Sequence, residues 1–507
     1  MSDMVIIRED DLIESIADAL QYISYYHPMD YIRALGDAYE AEQGPAAKDA
    51  IAQILTNSRM CAEGHRPICQ DTGIVNVFIK WGQECRLDST RPLQDIVDEG
   101  VRRAYNDPAN KLRASVLADP AFTRRNTRDN TPSVLTIDMV PGRTLSIDVA
   151  AKGGGSEAKS KFKMMNPSDN IVEWVLDMIP QMGAGWCPPG MLGIGIGGTA
   201  EHCMKLAKQS LMEPINMGQL KARGPKDDLE ALRIEIFDKV NALGVGAQGL
   251  GGLATVLDVK ILDWPCHAAN KPVAMIPNCA ATRHAHFTLD GSGPTYLEKP
   301  DLDQWPEVHW KPDAAARRVD LDNLTAEEVA SWKNGDRLLL NGSMLTGRDA
   351  AHKRIQDMVE RGEDLPVDFR GRAIYYVGPV DPVVGEIVGP AGPTTATRMD
   401  KFTAMMLELG LLAMIGKAER GQGAVSEIAR HKVAYLMATG GAAYLVARAI
   451  REAKVVAFED LGMEAIYEFT VQDMPVTVAV DSHGDNVHTL APAHWKDKIA
   501  REHLLDA

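Results

Sequence analysis

The 507-residue chain has no CxxC pair, no long uninterrupted apolar run and a deficit of positive charge. Its seven cysteines, Cys61, Cys69, Cys85, Cys187, Cys203, Cys266 and Cys279, are odd in number and widely spaced. That argues against a disulfide framework and for a reducing compartment, so a cytoplasmic protein is expected. The opening segment, Met1-Ser-Asp-Met-Val-Ile-Ile-Arg-Glu-Asp-Asp, is acidic and lacks an apolar core, which predicts no secretory signal. The most apolar stretch, residues 402–416, contains Glu408. It is too short to span a bilayer core of about 30 Å, so no membrane partner is expected. With 54 Lys and Arg against 70 Asp and Glu, the net charge is −16, and the basic footprint that nucleic acid demands is missing. Hydrophobic residues at 45% and charged residues at 24% exclude wholesale disorder.

Apolar residues Leu12, Ile13, Ile16, Ala17 and Leu20 follow Asp10 and Asp11 at helical spacing, and residues 46–55 repeat the pattern. Residues 74–79, 133–139 and 144–149 read as strands, and 170–178 and 199–211 as helices. Residues 299–318 are polar and punctuated by Pro300, Pro306 and Pro312, with Trp305 and Trp310 among them, and read as a connector. Beyond it, strands are expected at 336–340, 374–377 and 476–480, and helices at 350–361, 399–415 and 440–449. The expected fold is α/β in two domains, 1–298 and the smaller 318–507, joined by a linker at 299–317.

Ten of the 43 glycines cluster in three places: Lys152-Gly-Gly-Gly-Ser-Glu-Ala-Lys159, residues 186–199, and Gly389-Pro-Ala-Gly-Pro-Thr-Thr-Ala-Thr-Arg398. Such turns bring backbone N–H groups close to an anion. Gly193, Gly195 and Gly198 match G-x-G-x-x-G, which would bind a dinucleotide if a strand led into it. The preceding Pro188-Pro189 disfavours that strand. Cys61, Cys85 and Cys203 read as small buried hydrophobes, with Cys266 ambiguous. Cys69, Cys187 and Cys279 lie on turn-like segments beside Pro or Gly, where thiolates can converge on an iron–sulfur cluster. Three ligands on four irons would leave one iron open as a Lewis acid. Zinc is the competing metal, with His284 or His286 completing the set.

Ile68-Cys-Gln-Asp-Thr-Gly73, Lys152-Gly-Gly-Gly-Ser-Glu157, Gly185-Trp-Cys-Pro-Pro-Gly190, Pro277-Asn-Cys-Ala-Ala-Thr-Arg-His-Ala-His286, Leu345-Thr-Gly-Arg-Asp-Ala-Ala-His352 and Gly392-Pro-Thr-Thr-Ala-Thr-Arg-Met-Asp400 together form a longer pattern. In order and content it resembles the class I, iron–sulfur-dependent fumarate hydratases in their single-chain form. The resemblance implies a cytoplasmic homodimeric hydro-lyase. Its [4Fe–4S] cluster would sit between two α/β domains, the first binding the cluster and the second, of swivelling β/α type, binding substrate. The implied reaction is the reversible hydration of fumarate to (S)-malate, a step of the tricarboxylic acid cycle.

Cys69, Cys187 and Cys279 match the family's cluster ligands. Arg113, Arg348, Arg398 and Lys417 match its substrate-binding positions, and arginine suits a carboxylate because its planar fork pairs bidentately. Gln70, Gly153, Gly154, Gly155, Ser156 and Lys159 would line the anion site, Glu157 beside them. The family points to Asp71 and Thr394 as the acid/base pair, with His267 nearby. Thr394 could act as a base only if cations or backbone dipoles favoured its alkoxide. A methyl group changes binding by only about 1–3 kcal/mol, so mesaconate, alone or with fumarate, is an alternative substrate. Tartrate dehydratases share the architecture, usually as two chains. An NAD(P)-dependent oxidoreductase built on Gly193–Gly198 and a non-enzymatic metal-sensing regulator are the alternatives from other classes.

Overall fold

The computed structural model describes residues 4–505. After the short strand Val5–Arg8, which pairs with Cys85–Asp88, come three helices, Glu9–Tyr25, Met29–Ala41 and Pro45–Gly64. Glu9, Asp10 and Asp11 sit in the first turn of the first helix, where negative charge complements the helix dipole. Leu12, Ile13, Ile16, Leu20 and Ile23 form its buried stripe. Pro45 starts the third helix, where its missing N–H costs nothing. His65 ends it in the left-handed region at φ 49° and turns the chain toward Cys69.

Two four-stranded sheets build the rest of the first half. In one, Ile74–Gly82 lies between Leu145–Lys152, antiparallel, and Val134–Val140, parallel, with His284–Leu289 outside Leu145–Lys152. In the other, Gly190–Gly197 runs parallel to Val256–Trp264 and antiparallel to Lys271–Asn278, with Lys161–Met165 on the edge. Pro188 and Pro189 therefore precede a strand instead of preventing one. Gly193 and Gly195 lie inside it, not in a turn. A Cβ at either would strike the backbone of helix Ala200–Ser210, at the carbonyls of Ala207 and Cys203 respectively. The G-x-G-x-x-G spacing thus serves close helix-to-strand packing, and its first two glycines form no phosphate cradle.

The second half holds a seven-stranded sheet. The long strand Ile466–Val480 pairs with Ala434–Met437 and also with Arg337–Thr346. With Ala373–Tyr375 and Ala413–Gly416 between them, these strands close into a ring. The helix expected at 399–415 is not formed as one element. A 3-10 turn, Ala396–Phe402, leads into the short helix Thr403–Glu408, and Ala413–Gly416 is a strand. Gly410, at φ 93°, ends the helix. The apolar run after it is buried on both faces of a parallel sheet, and such a strand carries no alternation to distinguish it from a buried helix.

Residues 299–316 form a strap held against the opening helices. Trp305 is buried in their core, and Trp310 donates from its backbone to Thr56 Oγ1 and from its indole to Asp49. The halves share that core: Leu35, Ile51 and Ile54 cluster with Leu345, Ile374 and Met414. Asn57, fully buried, joins them again. Its Nδ2 donates to the Ile68 and Gly441 carbonyls, and its Oδ1 accepts from Tyr444 N and Leu445 N. Among the described residues no helix is long and apolar enough to cross a membrane.

Candidate active site

Three chain segments far apart in sequence bring Cys69, Cys187 and Cys279 together. Cys187 sits at φ 56°, its N–H donating to the Ala184 carbonyl at 2.9 Å. Its own carbonyl accepts from Ala280 N at 3.0 Å, which ties the second cysteine turn to the third. His27 braces the third turn through the Ala280 carbonyl at 3.0 Å, and burial keeps this imidazole neutral at a pKa of about 3. The common neighbour of the sulfurs is Lys417. Its Nζ lies 3.1 Å from Cys187 Sγ and interacts electrostatically with Cys69 and Cys279 as well. Burial opposes the lysine's charge, but the three sulfurs outweigh it and raise its pKa. Burial also raises the Cys69 thiol and takes Cys187 to about 11, with Lys417 pulling both back.

Among the described residues no three His, Cys, Asp or Glu side chains close around a single ion. His286 lies on strand His284–Leu289, paired with Asp148 at 2.9 Å.

In front of the thiols opens a cleft of about 390 Å³. Six cationic side chains line it, Arg113, Lys159, Lys161, Arg348, Arg398 and Lys417, against one carboxylate, Asp71. Asp71 Oδ2 accepts from Gly154 N at 2.8 Å, and Arg283 Nη1 donates to its backbone carbonyl at 2.6 Å. Burial alone would raise this carboxyl; Arg113, Arg283, Lys417 and the Gly154 N–H together hold it below the ordinary carboxylate value. Arg113 donates to the Gly378 carbonyl at 2.6 Å. Burial and the neighbouring Arg348 lower its pKa to about 10. A Cβ at Gly378 would collide with the Arg348 guanidinium, so the two arginines meet around one glycine. Two like charges held this close form a place for an anion.

Two of the arginines are braced further. His352 Nδ1 lies 2.8 Å from the Arg348 carbonyl, and Glu464 lies 3.5 Å from the Arg348 guanidinium. Asp349 grips Arg398 through two of its nitrogens. Gln70 lines the cleft, but its Nε2 donates to the Pro393 carbonyl at 3.1 Å, and Gly392 leaves room for its amide. Thr394 is pinned through its backbone, its N–H donating to Tyr376 O and its carbonyl accepting from Lys417 N.

Of the residues named from sequence, Gln70, Asp71, Arg113, Gly154, Gly155, Lys159, Arg348, Thr394, Arg398 and Lys417 line this one cleft. Gly153 lies behind it, where a Cβ would stand 3.4 Å from Asp71 Oδ2. Ser156 is buried beneath, its hydroxyl accepting from Lys152 Nζ at 2.8 Å. His267 is on the exposed turn 265–270, its Nδ1 accepting from Ala269 N, and does not line the cleft. Lys161, Gln181, Thr395 and Thr397 line it without having been expected. Arg283 had been missed too, although it stands in the same motif as Cys279; its cationic type beside a ligand cysteine was the available signal.

An α/β frame presenting six cations and an ionised carboxylate in one cleft defines an enzyme for a small, multiply charged acid. Residues 13–288 match the family profile described as fumarate hydratase, and residues 291–491 that of the fumarase C-terminus. An anaerobic class I fumarate hydratase of Escherichia coli is 29% identical over 469 residues, covering 88% of this chain and 84% of the relative. Fumarate hydratase 2 of Leishmania major is 30% identical over 478 residues, covering 89% and 82%. A putative L(+)-tartrate dehydratase alpha subunit of Methanocaldococcus jannaschii is 35% identical over 278 residues, covering 53% of this chain and 94% of its own length. The protein is thus an enzyme of the hydro-lyase kind. The chain belongs to the class I fumarate hydratases, in their single-chain form.

Proposed function

We propose that this enzyme hydrates fumarate reversibly to (S)-malate, using a [4Fe–4S] cluster held by Cys69, Cys187 and Cys279. The observation that carries the reading is the convergence of three thiols, two buried and that of Cys279 half-buried, on Lys417 at the back of a cleft with six cations. The donor set fits the group: soft sulfur ligands for iron, and a lysine whose charge favours their thiolate forms. When bound, the cluster supplies Lewis acidity through the one iron that three thiolates leave without a protein ligand.

The chain's own residues do the rest. Arg113 and Arg348, with Arg398 and Lys159 across the cleft, bind and orient the two carboxylates. Asp71, ionised because its cationic neighbours favour the charged form, takes the proton from the carbon next to the hydroxyl-bearing one in malate. Charge then develops on the adjacent carboxylate, and the fixed cations stabilise it without rearranging. The C–O bond breaks and the hydroxyl leaves as water with a proton from the Thr394 hydroxyl, which the proton gained by Asp71 balances; Lys417, whose N–H bonds the Thr394 carbonyl, keeps a positive charge close to it. The reading includes two domains, 1–298 and 318–507, joined by 299–317, with the cluster between them, and a cytoplasmic homodimer.

The test is an anaerobic assay of fumarate, mesaconate and tartrate side by side with iron analysis. A brown, iron-containing protein with the highest kcat/KM on fumarate is expected. A colourless, iron-free preparation with full activity would overturn the cluster, and a preference for mesaconate or tartrate would overturn the substrate.

A further inference from the structure

The strand Ala413–Gly416 is followed by Lys417, Ala418 and Glu419, and Ala418 takes the left-handed conformation at φ 64°. Both charged neighbours of that kink reach the first half of the chain. Lys417 goes to the thiols. Glu419 goes to the turn that carries one of them: its Oε2 accepts from Ala184 N at 2.8 Å, and its Oε1 lies 3.5 Å from Lys159 Nζ. The same residue, Ala184, accepts the Cys187 N–H through its own carbonyl. One carboxylate therefore holds both the Cys187 turn and a cleft lysine.

The glycines around it are spaced for this arrangement. A Cβ at Gly183, which has φ 59°, would lie 2.5 Å from Glu419 Oε1, and one at Gly185 would lie 2.7 Å from Lys159 Cε. Gly183 makes room for the carboxylate and Gly185 for the lysine stem. Glu419 lines a second cavity of about 380 Å³ together with Ile179, Leu243 and Val245, and does not line the cleft itself. It touches no position that substrate would occupy. Lys159 and Glu419 are each about three-quarters buried, which strengthens their attraction relative to a surface pair.

We infer that Glu419 is a positioning residue that acts through Lys159 and the Ala184 peptide, aiming the ammonium into the cleft while fixing the turn that presents Cys187. The inference rests on Lys159 being a substrate-binding cation, as proposed above. The carboxylate's two tasks separate chemically. Glu419→Gln keeps an oxygen that accepts the Ala184 N–H but removes the charge facing Lys159. Glu419→Ala removes both.

Malate kinetics on anaerobically reconstituted enzyme should compare wild type, Glu419→Gln, Lys159→Met and the double variant. Glu419→Gln should raise KM about tenfold with kcat within about twofold and iron content unchanged. It should add nothing further on the Lys159→Met background. Hydrogen exchange of the Ala184 amide should accelerate in Glu419→Ala and stay near wild type in Glu419→Gln. If Lys159→Met raises KM but Glu419→Gln does not, or if the Glu419→Gln effect persists in full on the Lys159→Met background, the positioning role is overturned. If Lys159→Met itself leaves KM unchanged, the substrate reading of Lys159 fails and takes this role with it. Unaltered Ala184 exchange in Glu419→Ala overturns the hold on the turn.

Discussion

Lys417 Nζ lies 3.1 Å from Cys187 Sγ, and both groups are buried. A buried ammonium facing three thiols is stable only while charge of the opposite sign accompanies it. Lys417→Met should therefore lower iron retained per chain and reduce kcat/KM by at least about 100-fold. Lys417→Arg should keep more of the iron than Lys417→Met. Iron analysis with malate kinetics checks both; full iron content in Lys417→Met would remove the link between this cation and the sulfurs.

Asp71 should set the acid limb of the rate profile. Its carboxyl is held below the ordinary value of 3.8, so it stays ionised through the neutral range. The sign follows: a depressed carboxylate contributes stability above its unfolded value, and that contribution is lost as pH falls through its lower folded value. Arg283→Gln removes one of the cations responsible, so the acid limb of kcat/KM should shift to higher pH. Asp71→Asn should cut kcat by about 10²–10⁴ while leaving the fold intact. pH–rate profiles of the three proteins test this, and an acid limb that does not move in Arg283→Gln contradicts it.

Arg66 and Glu386 form a closed pair. The guanidinium donates to both carboxylate oxygens, at 2.8 and 3.0 Å, and to Asn110 Oδ1, with side-chain exposures of 2% and 10% for the pair. Glu386→Ala strands a buried cation and should destabilise the protein by about 3–5 kcal/mol. Joint replacement, Arg66→Met with Glu386→Leu, should recover most of that loss. Urea unfolding of the single and double variants distinguishes the cost of an unpaired charge from loss of the pair itself.

Two glycines should respond oppositely to alanine. At Gly195 the added Cβ meets the Cys203 carbonyl, and the helix above the strand must shift, costing about 1–3 kcal/mol. At Gly423, in helix Gln422–His431, nothing stands within 4 Å. There alanine should stabilise by about 0.5–1 kcal/mol through helix propensity. Denaturant midpoints of the two variants decide this.

Local periodicity made part of the fold legible. The stripe from Leu12 to Leu20 is the buried face of a helix, and residues 74–79 fall within strand Ile74–Gly82. It failed at 399–415, where burial on both faces of a sheet erases alternation. It also misjudged Gly193 and Gly195, because the partner that requires glycine there is the backbone of a helix that comes later in sequence. Nothing in the spacing of Cys69, Cys187 and Cys279 says that they converge; only the surrounding motifs suggested it. Arg283 and Glu419 went unread for a different reason. Each acts on a backbone group, the Asp71 carbonyl and the Ala184 amide, and side-chain chemistry alone does not advertise such a partner.

Asn57 carries a consequence for how firmly the two halves are joined. Both of its amide protons are donated and its oxygen is shared by two N–H groups, with partners on either side of the joint between the halves. Moving one half against the other at this point would strip the three bonds to Gly441, Tyr444 and Leu445 together, in a place water does not reach. Lys111 and Asp381, by contrast, meet across two surface loops at 3.5 Å, an exposed contact that solvent can replace at little cost.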